Sequence, residues 1–383
     1  MSVDSSSQGG TESSRDGRTA LWTPVARSIG RVAWRTYTGD NAGILIGAML
    51  VTVLIFGVIL RHDNFLGVTN LLNIVRVSAT ITVMAVATVF VISSGEIDLS
   101  IASIVPVSAL IAAVLMSWHL GFMLAAVTAV AFGAGVGLIN GVVTVGFAIP
   151  SFVVTLGMLG IMQGVAQWIT NTNTIPISNA RFLNWFGLGS IGPIPVLDIW
   201  SLIALIIGAV VLSWTALGRK VLATGANRNA ARFSGISTGR IKIGVLMVSG
   251  IAGALAGLLY DGQFAAAEFT TGGSDLLNVV AAVIIGGTVL TGGKGSVVGA
   301  VVGSLLIATL NNALILVGLG APQQLMAQGT IIVAAVIVSS RKVRAREVWG
   351  WLARLEGYDP RAGGRKPTSP EAAIAGDATT LPE

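Results

Sequence analysis

The sequence contains no cysteine and only two histidines, His62 and His119, among 383 residues. Without thiols there is no disulfide framework, no thiolate metal site and no cysteine nucleophile. Two histidines, each near the end of an apolar run, leave almost nothing for imidazole-based metal or acid–base chemistry. Charge is scarce as well: Asp, Glu, Lys and Arg make up 10% of the chain, against about 25% in soluble domains. That shortage excludes an ordinary soluble protein. A disordered chain is excluded by the 53% of hydrophobic residues and the mean hydropathy of +0.82, because disorder requires low hydrophobicity and high charge. What is abundant is apolar side chain and glycine, 49 residues of it, a composition suited to closely packed helices in lipid.

Apolar runs of about 17–25 residues can each cross roughly 30 Å of hydrocarbon. They lie at about 44–60, 72–93, 99–117, 121–146, 152–170, 199–217, 241–260, 275–291, 296–317 and 323–340. The expected fold class is therefore all-α, a polytopic membrane protein of about ten transmembrane helices with both termini on one side. Residues 1–43 read as a disordered basic tail, 44–340 as the membrane domain, and 341–383 as a basic, then disordered, tail. Twenty of the 23 lysines and arginines fall on the side of the termini. Arg61 and Arg181 fall on the other, and Arg76 falls within a span. Basic residues concentrate in cytoplasmic loops, so the termini are expected in the cytoplasm. The net charge of +6 then reports orientation, not affinity for nucleic acid.

Six of those basic residues crowd into the loop at 218–242: Arg219, Lys220, Arg228, Arg232, Arg240 and Lys242. Asn227 is a good N-cap and Gly235 a good residue to follow a helix end, so a helix of about two turns fits between them. It would carry Arg228 and Arg232 four apart, with Ala230, Ala231 and Phe233. So short a helix is not stable alone and must dock, either on lipid phosphates or in a groove of a cytoplasmic partner.

Residues 218–236 resemble the coupling-helix loop in the permease subunits of bacterial ABC importers for monosaccharides, of the ribose, xylose and galactose type. Three further stretches agree. Ile92-Ser-Ser-Gly-Glu96-Ile-Asp98-Leu-Ser100 is similar to the family's Gly-(Gly/Glu)-Ile-Asp-Leu-Ser motif. Pro150-Ser-Phe-Val-Val-Thr155-Leu-Gly157 is similar to its Pro-x-Phe-(Ile/Val)-Val-Thr-Leu-Gly segment. Gly286-Gly287-Thr288 followed by Gly292-Gly293-Lys294-Gly295-Ser296 is similar to its late glycine signature. The resemblance covers about residues 45–340 and omits the tails.

The resemblance implies a multi-pass protein of the bacterial cytoplasmic membrane, paired with a second permease subunit as a homodimer or heterodimer. It further implies two ABC ATPase subunits, an extracytoplasmic sugar-binding protein and a sugar as solute. In such transporters the short helix sits in a cleft of the ATPase and carries its closure into the membrane helices. Arg219, Asn227, Arg228, Ala231, Arg232, Ser234 and Gly235 are the coupling candidates so transferred. ATP and Mg would be bound by the partner ATPase, leaving no cofactor in this chain.

The chain has no engine of its own in sequence. A phosphate-binding loop requires Gly, four residues, then Gly-Lys-Ser/Thr, whereas Lys294 is followed by Gly295 and position 288 is threonine. That stretch reads as a tight cytoplasmic turn. No nucleophile–base set and no metal site can be assembled, so neither catalytic nor metal residues are expected. Ionisable groups inside the apolar block default to function, which singles out Glu96 and Asp98. Asp98 is also placed to cap the helix that follows, through the amides of Ser100 and Ile101, after a break at Ser93-Ser94-Gly95. Arg76, one helix earlier, is a candidate partner for these carboxylates. Asn140, Asn311 and Asn312 complete the residues assigned to the translocation path, with interhelical hydrogen bonding as their competing role. An ion-coupled secondary transporter is the alternative, and it has only Glu96 and Asp98 for a carboxylate relay. Gly133/Gly137/Gly141, Gly253/Gly257 and Gly299/Gly303 are spaced for close helix packing. Residues 171–198 and the acidic stretch 261–275 read as outer loops able to receive a binding protein.

Overall fold

A computed structural model describes residues 42–339; the basic residues of both expected tails lie outside them. The described chain is helical, in the order α1 (Ala42–Ile59), α2 (Val68–Ser93), α3 (Ile101–Ser117), α4 (Phe122–Gly146), α5 (Ser151–Thr170), α6 (Ala180–Phe186), α7 (Val196–Trp214), α8 (Ala216–Ala226), α9 (Arg228–Phe233), α10 (Thr238–Phe264), α11 (Asp275–Ile285), α12 (Val297–Leu316) and α13 (Ala321–Ser339). Four two-residue strands make two antiparallel pairs, β1 (Ile175–Pro176) with β4 (Ala266–Ala267) and β2 (Ser190–Ile191) with β3 (Ile194–Pro195). A helix occupies each of the ten apolar runs. Among the described residues six, α2, α4, α5, α7, α10 and α12, are long and apolar enough to cross a membrane.

Burial sorts these helices into inner and outer ones. A helix apolar on every face belongs inside a bundle or against lipid. α2 and α10 are mostly buried, while α5 and α7 leave most of their surface open, including Leu156, Ile161, Ile206 and Ile207. Apolar surface so extensive is surface for lipid or for another membrane subunit. α10 divides the core. On one side Leu258 and Leu259 pack with Ile104 and Leu110 of α3 and Ala129 and Val136 of α4. On the other, Leu246 packs with Met84 and Val89 of α2, Val283 of α11 and Ile307 of α12.

The spaced glycines make the seams expected of them. A Cβ on Gly133 would stand 2.4 Å from the Gly250 carbonyl oxygen, one on Gly257 2.4 Å from that of Val105, and one on Gly303 2.2 Å from that of Ala282. No side chain fits at those distances, so the α4–α10, α3–α10 and α11–α12 contacts run backbone to backbone.

Two passages are broken. α11 was expected to run from 275 to 291 but stops at Ile285, after 11 residues, a rise of about 16 Å. Gly286 and Gly287, the latter at φ +91°, turn the chain out of the helix. The second break precedes α3. Glu96 pairs with Lys242, while a Cβ on Gly253 would touch the carbonyl oxygen of Ile101. Residues 96–101 therefore climb alongside α10 while it rises eleven residues, about 16 Å. Non-helical backbone at such depth is tolerated only where protein or water satisfies its polar groups.

Candidate functional site

The four family-like motifs, scattered over some 200 residues of sequence, meet at one end of the bundle. The most exposed member is α9. Asn227 is extended (φ −157°, ψ 104°), which ends α8, and its side-chain oxygen accepts the N–H groups of Asn229 and Ala230 at 3.1 and 3.0 Å. The other end closes at Gly235, whose φ of +80° a side chain rarely adopts. There the Ile236 N–H reaches the Ala231 carbonyl at 3.0 Å and the Gly235 N–H that of Arg232 at 2.9 Å, a helix-terminating pattern. A six-residue helix is thus locked at both ends, as the spacing of Asn227 and Gly235 predicts. Ala231 is its one buried residue and anchors it. Arg232 Nε donates to Thr238 Oγ1 at 3.1 Å, tying it to the first turn of α10. Arg228, Asn229, Ala230, Arg232 and Phe233 face outward, and Phe233 is 93% exposed. Phe233 is absent from the residues transferred from the family, although an aromatic side chain on so short a polar helix is itself a docking signal.

Behind α9 lies a glycine junction. A Cβ on Gly225, in the last turn of α8, would stand 2.0 Å from the Ser93 carbonyl oxygen and 2.7 Å from the Gly293 nitrogen. The Gly293 N–H itself donates to that Ser93 carbonyl at 2.9 Å. A Cβ on Gly292 would meet the Cα atoms of both Gly225 and Gly95 at 3.0 Å. Gly95, Gly292 and Gly293 all have φ between +80° and +84°. The break after α2, the end of α8 and the turn between α11 and α12 therefore touch with bare backbone. The last is the tight turn expected, closed by Val289 N–H to Lys294 O at 3.1 Å and Gly292 N–H to Val289 O at 2.9 Å.

The climbing segment is fixed by the Pro150-Ser-Phe-Val-Val-Thr155 motif. Ile97 N–H donates to Ser151 Oγ at 3.0 Å and Leu99 N–H to Thr155 Oγ1 at 3.1 Å, while Thr155 Oγ1 donates back to Ile97 O at 3.2 Å. Asp98 accepts from the amide and the hydroxyl of Ser100 at 2.8 and 2.6 Å. Asn140 Nδ2 in turn donates to the Ser100 hydroxyl at 2.9 Å. Two of the path candidates, Asp98 and Asn140, are thus parts of one buried network that satisfies the broken backbone. Two more lie elsewhere: Asn312 exchanges hydrogen bonds with Asn70 at 3.0 Å, and Asn311 accepts from Gln328 at 3.0 Å.

Glu96 forms a buried ion pair with Lys242. Arg76 cannot reach it, because it sits in the third turn of α2 whereas Glu96 lies beyond that helix's far end; its charge acts on Asp198 instead. Removing one member of a buried pair leaves an uncompensated charge and costs about 3–5 kcal/mol, whereas replacing both is far milder. Lys242→Met is therefore expected to lower stability by that amount, and Glu96→Leu added to it to recover most of the loss, as read by thermal unfolding in detergent.

The acidic outer loop expected at 261–275 is corrected. Asp261 lies within α10 at 1% exposure and Asp275 in the first turn of α11 at 7%, accepting a hydrogen bond from Tyr260. Of the three acids only Glu268 remains on the surface. Gly253 and Gly257 let α3 pack against α10 at backbone distance, and α10 continues to Phe264, so Asp261 lies in its last turn. Among the described residues no three His, Asp or Glu side chains gather as a metal site would need.

Comparison with known proteins agrees with this architecture. A family model described as "Branched-chain amino acid transport system / permease component" matches residues 70–338. The ribose import permease protein RbsC of Escherichia coli (strain K12) is 34% identical over 299 residues, covering 77% of this chain and 92% of the relative. RbsC of Bacillus subtilis (strain 168) is 34% identical over 305 residues, covering 79% and 92%. The L-arabinose ABC transporter permease protein AraH of Azospirillum brasilense is 32% identical over 293 residues, covering 76% and 86%. No solved structure gives a significant match. The chain therefore belongs to the branched-chain amino acid transport system / permease component family, as a multi-pass inner-membrane protein alongside ABC permeases of sugar import.

Proposed function

We propose that this chain is the membrane-spanning subunit of an ATP-driven monosaccharide importer and that α9 is the element that docks on a separate ATPase. The carrying observation is α9 itself: a six-residue helix capped at both ends, with Phe233 exposed and a glycine junction directly behind it. Such a helix has no stability of its own, and the junction connects it rigidly to both broken passages. Push on α9 and the displacement reaches residues 93–96 and 292–295 through backbone contact, with no flexible side chain between. Rigid transmission of this kind can rock packed helices between two arrangements.

The remaining assembly follows from this reading. The α9 end faces the cytoplasm, the termini lie on the same side, and about ten passages cross the membrane. A second permease subunit, most simply another copy, completes the path; two ATPase subunits bind ATP and Mg; an extracytoplasmic binding protein delivers the sugar. Arg219, Asn227, Arg228, Ala231, Arg232, Ser234 and Gly235 position or form the docking surface, with Phe233 at its tip. Glu96, Asp98, Asn140, Asn311 and Asn312 lie along or beside the path, where their present hydrogen bonds brace it.

Transport into liposomes tests the reading. With ATPase, binding protein and ATP, uptake of ribose or another pentose or hexose is expected, and none is expected from the permease alone under a proton or sodium gradient. Ion-driven uptake by the permease alone would establish the secondary transporter instead.

A further inference from the structure

A groove runs along the membrane-spanning surface between α7 and α10, with α2 as its floor and α8 across one end, enclosing about 490 Å³. Val86 and Phe90 of α2, Ile207 of α7, and Val248 and Ile251 of α10 line it, and its walls are almost entirely hydrocarbon. Gly244 leaves it open, since a Cβ there would meet nothing within 4 Å. One cation interrupts the apolar lining. Arg240, in the first turn of α10, stands at the end where Leu217 and Val221 of α8 close the groove. Among the described residues Arg240 has no carboxylate partner, the one described ion pair being Lys242 with Glu96.

We propose that this groove binds an anionic phospholipid of the leaflet on the α9 side, with its phosphate on Arg240 and an acyl chain lying between α7 and α10. The inference does not depend on which solute is carried or on the role of α9. From Arg240 to Leu255 the groove follows fifteen residues of α10, about 22 Å. That depth accommodates one leaflet's share of a hydrocarbon core of roughly 30 Å, with the headgroup at the end. Basic pockets between transmembrane helices suit anionic headgroups, and here Arg240, without a carboxylate partner among the described residues, marks the headgroup end. A second copy of the chain fits less well. A two-fold axis along the membrane normal brings equal depths face to face, so two Arg240 guanidinium groups would converge inside an apolar seam.

The test uses the full chain in mild detergent, equilibrated with an equimolar mixture of phosphatidylglycerol and phosphatidylcholine and read by native mass spectrometry. Bound phosphatidylglycerol is expected to exceed phosphatidylcholine by about fivefold or more, the preference that one well-placed cation gives. Arg240→Gln should bring that ratio to about one, and Gly244→Phe should displace both lipids. Bound lipid in the bulk ratio on the unaltered chain would overturn the proposal, whatever the variants do. So would a disulfide-linked dimer formed in membranes by Ile251→Cys, a residue free to report because the chain has no other cysteine.

Discussion

Alanine at Gly225 is expected to lower transport by at least about tenfold and to destabilise the permease by about 1–3 kcal/mol, the usual cost of overpacking a tight contact. The added Cβ would stand 2.0 Å from the Ser93 carbonyl oxygen and 2.7 Å from the Gly293 nitrogen. Both are backbone atoms, and they are hydrogen-bonded to one another at 2.9 Å. No rotamer change relieves the collision; three chain segments must move apart. Whichever segment yields, the contact between α8 and the two broken passages is lost, so displacement of α9 no longer reaches them. Gly164→Ala is the matched control. Gly164 lies inside α5 with nothing within 4 Å of a built Cβ, and alanine there is expected to be neutral or stabilising by about 0.5–1 kcal/mol. Uptake and thermal unfolding measured on both variants check this. Wild-type uptake by Gly225→Ala would show that the junction carries no motion.

Phe233→Ala is expected to weaken assembly with the ATPase by at least about 2 kcal/mol, roughly thirtyfold in affinity, while the permease unfolds at its normal temperature. The asymmetry follows from exposure. At 93% exposed, the ring contributes almost nothing to the isolated permease, and surface substitutions usually shift stability by less than about 0.5 kcal/mol. Buried in a partner's cleft, the same ring becomes an aromatic anchor of the kind that dominates interfaces. Ala231 is a poorer probe despite its place in the family motif. It is 4% exposed, so a large or charged replacement would dislodge α9 and confuse misfolding with loss of docking. Copurification of the ATPase with each variant, alongside thermal unfolding, separates the two effects.

The two predictions draw on different depths of reading. The helices themselves are legible in sequence, because apolar runs of membrane length have few other uses and α2, α4, α5 and α10 begin and end within a few residues of the runs that announce them. α9 is legible for a different reason: Asn227 and Gly235 act locally, through a side-chain cap and a left-handed turn, and need no tertiary context. The end of α11 is not legible in the same way. Gly286 and Gly287 sit inside an apolar run, and nothing in composition separates a glycine that packs within a helix, such as Gly303, from one that ends it. Asp261 and Asp275 mislead for the same reason, since a charge near the end of an apolar run normally marks its exit from the membrane. What sequence could not supply is the meeting of Gly95, Gly225 and Gly292, which depends on three helices arriving at one point. The glycines were visible as motif; their common contact is a property of packing.

The most direct test of α9 as the ATPase-docking element is site-specific cross-linking from single cysteines, for which this cysteine-free chain is already prepared. Asn229→Cys places a thiol on the exposed face of α9 without removing Phe233, and Leu188→Cys places one on the surface between α6 and α7. In the assembled importer a short thiol-to-amine reagent is expected to join Asn229→Cys to the ATPase subunit in a single product and to leave Leu188→Cys unjoined to it. An intact, ATP-hydrolysing assembly in which Asn229→Cys forms no such product would contradict the docking of α9.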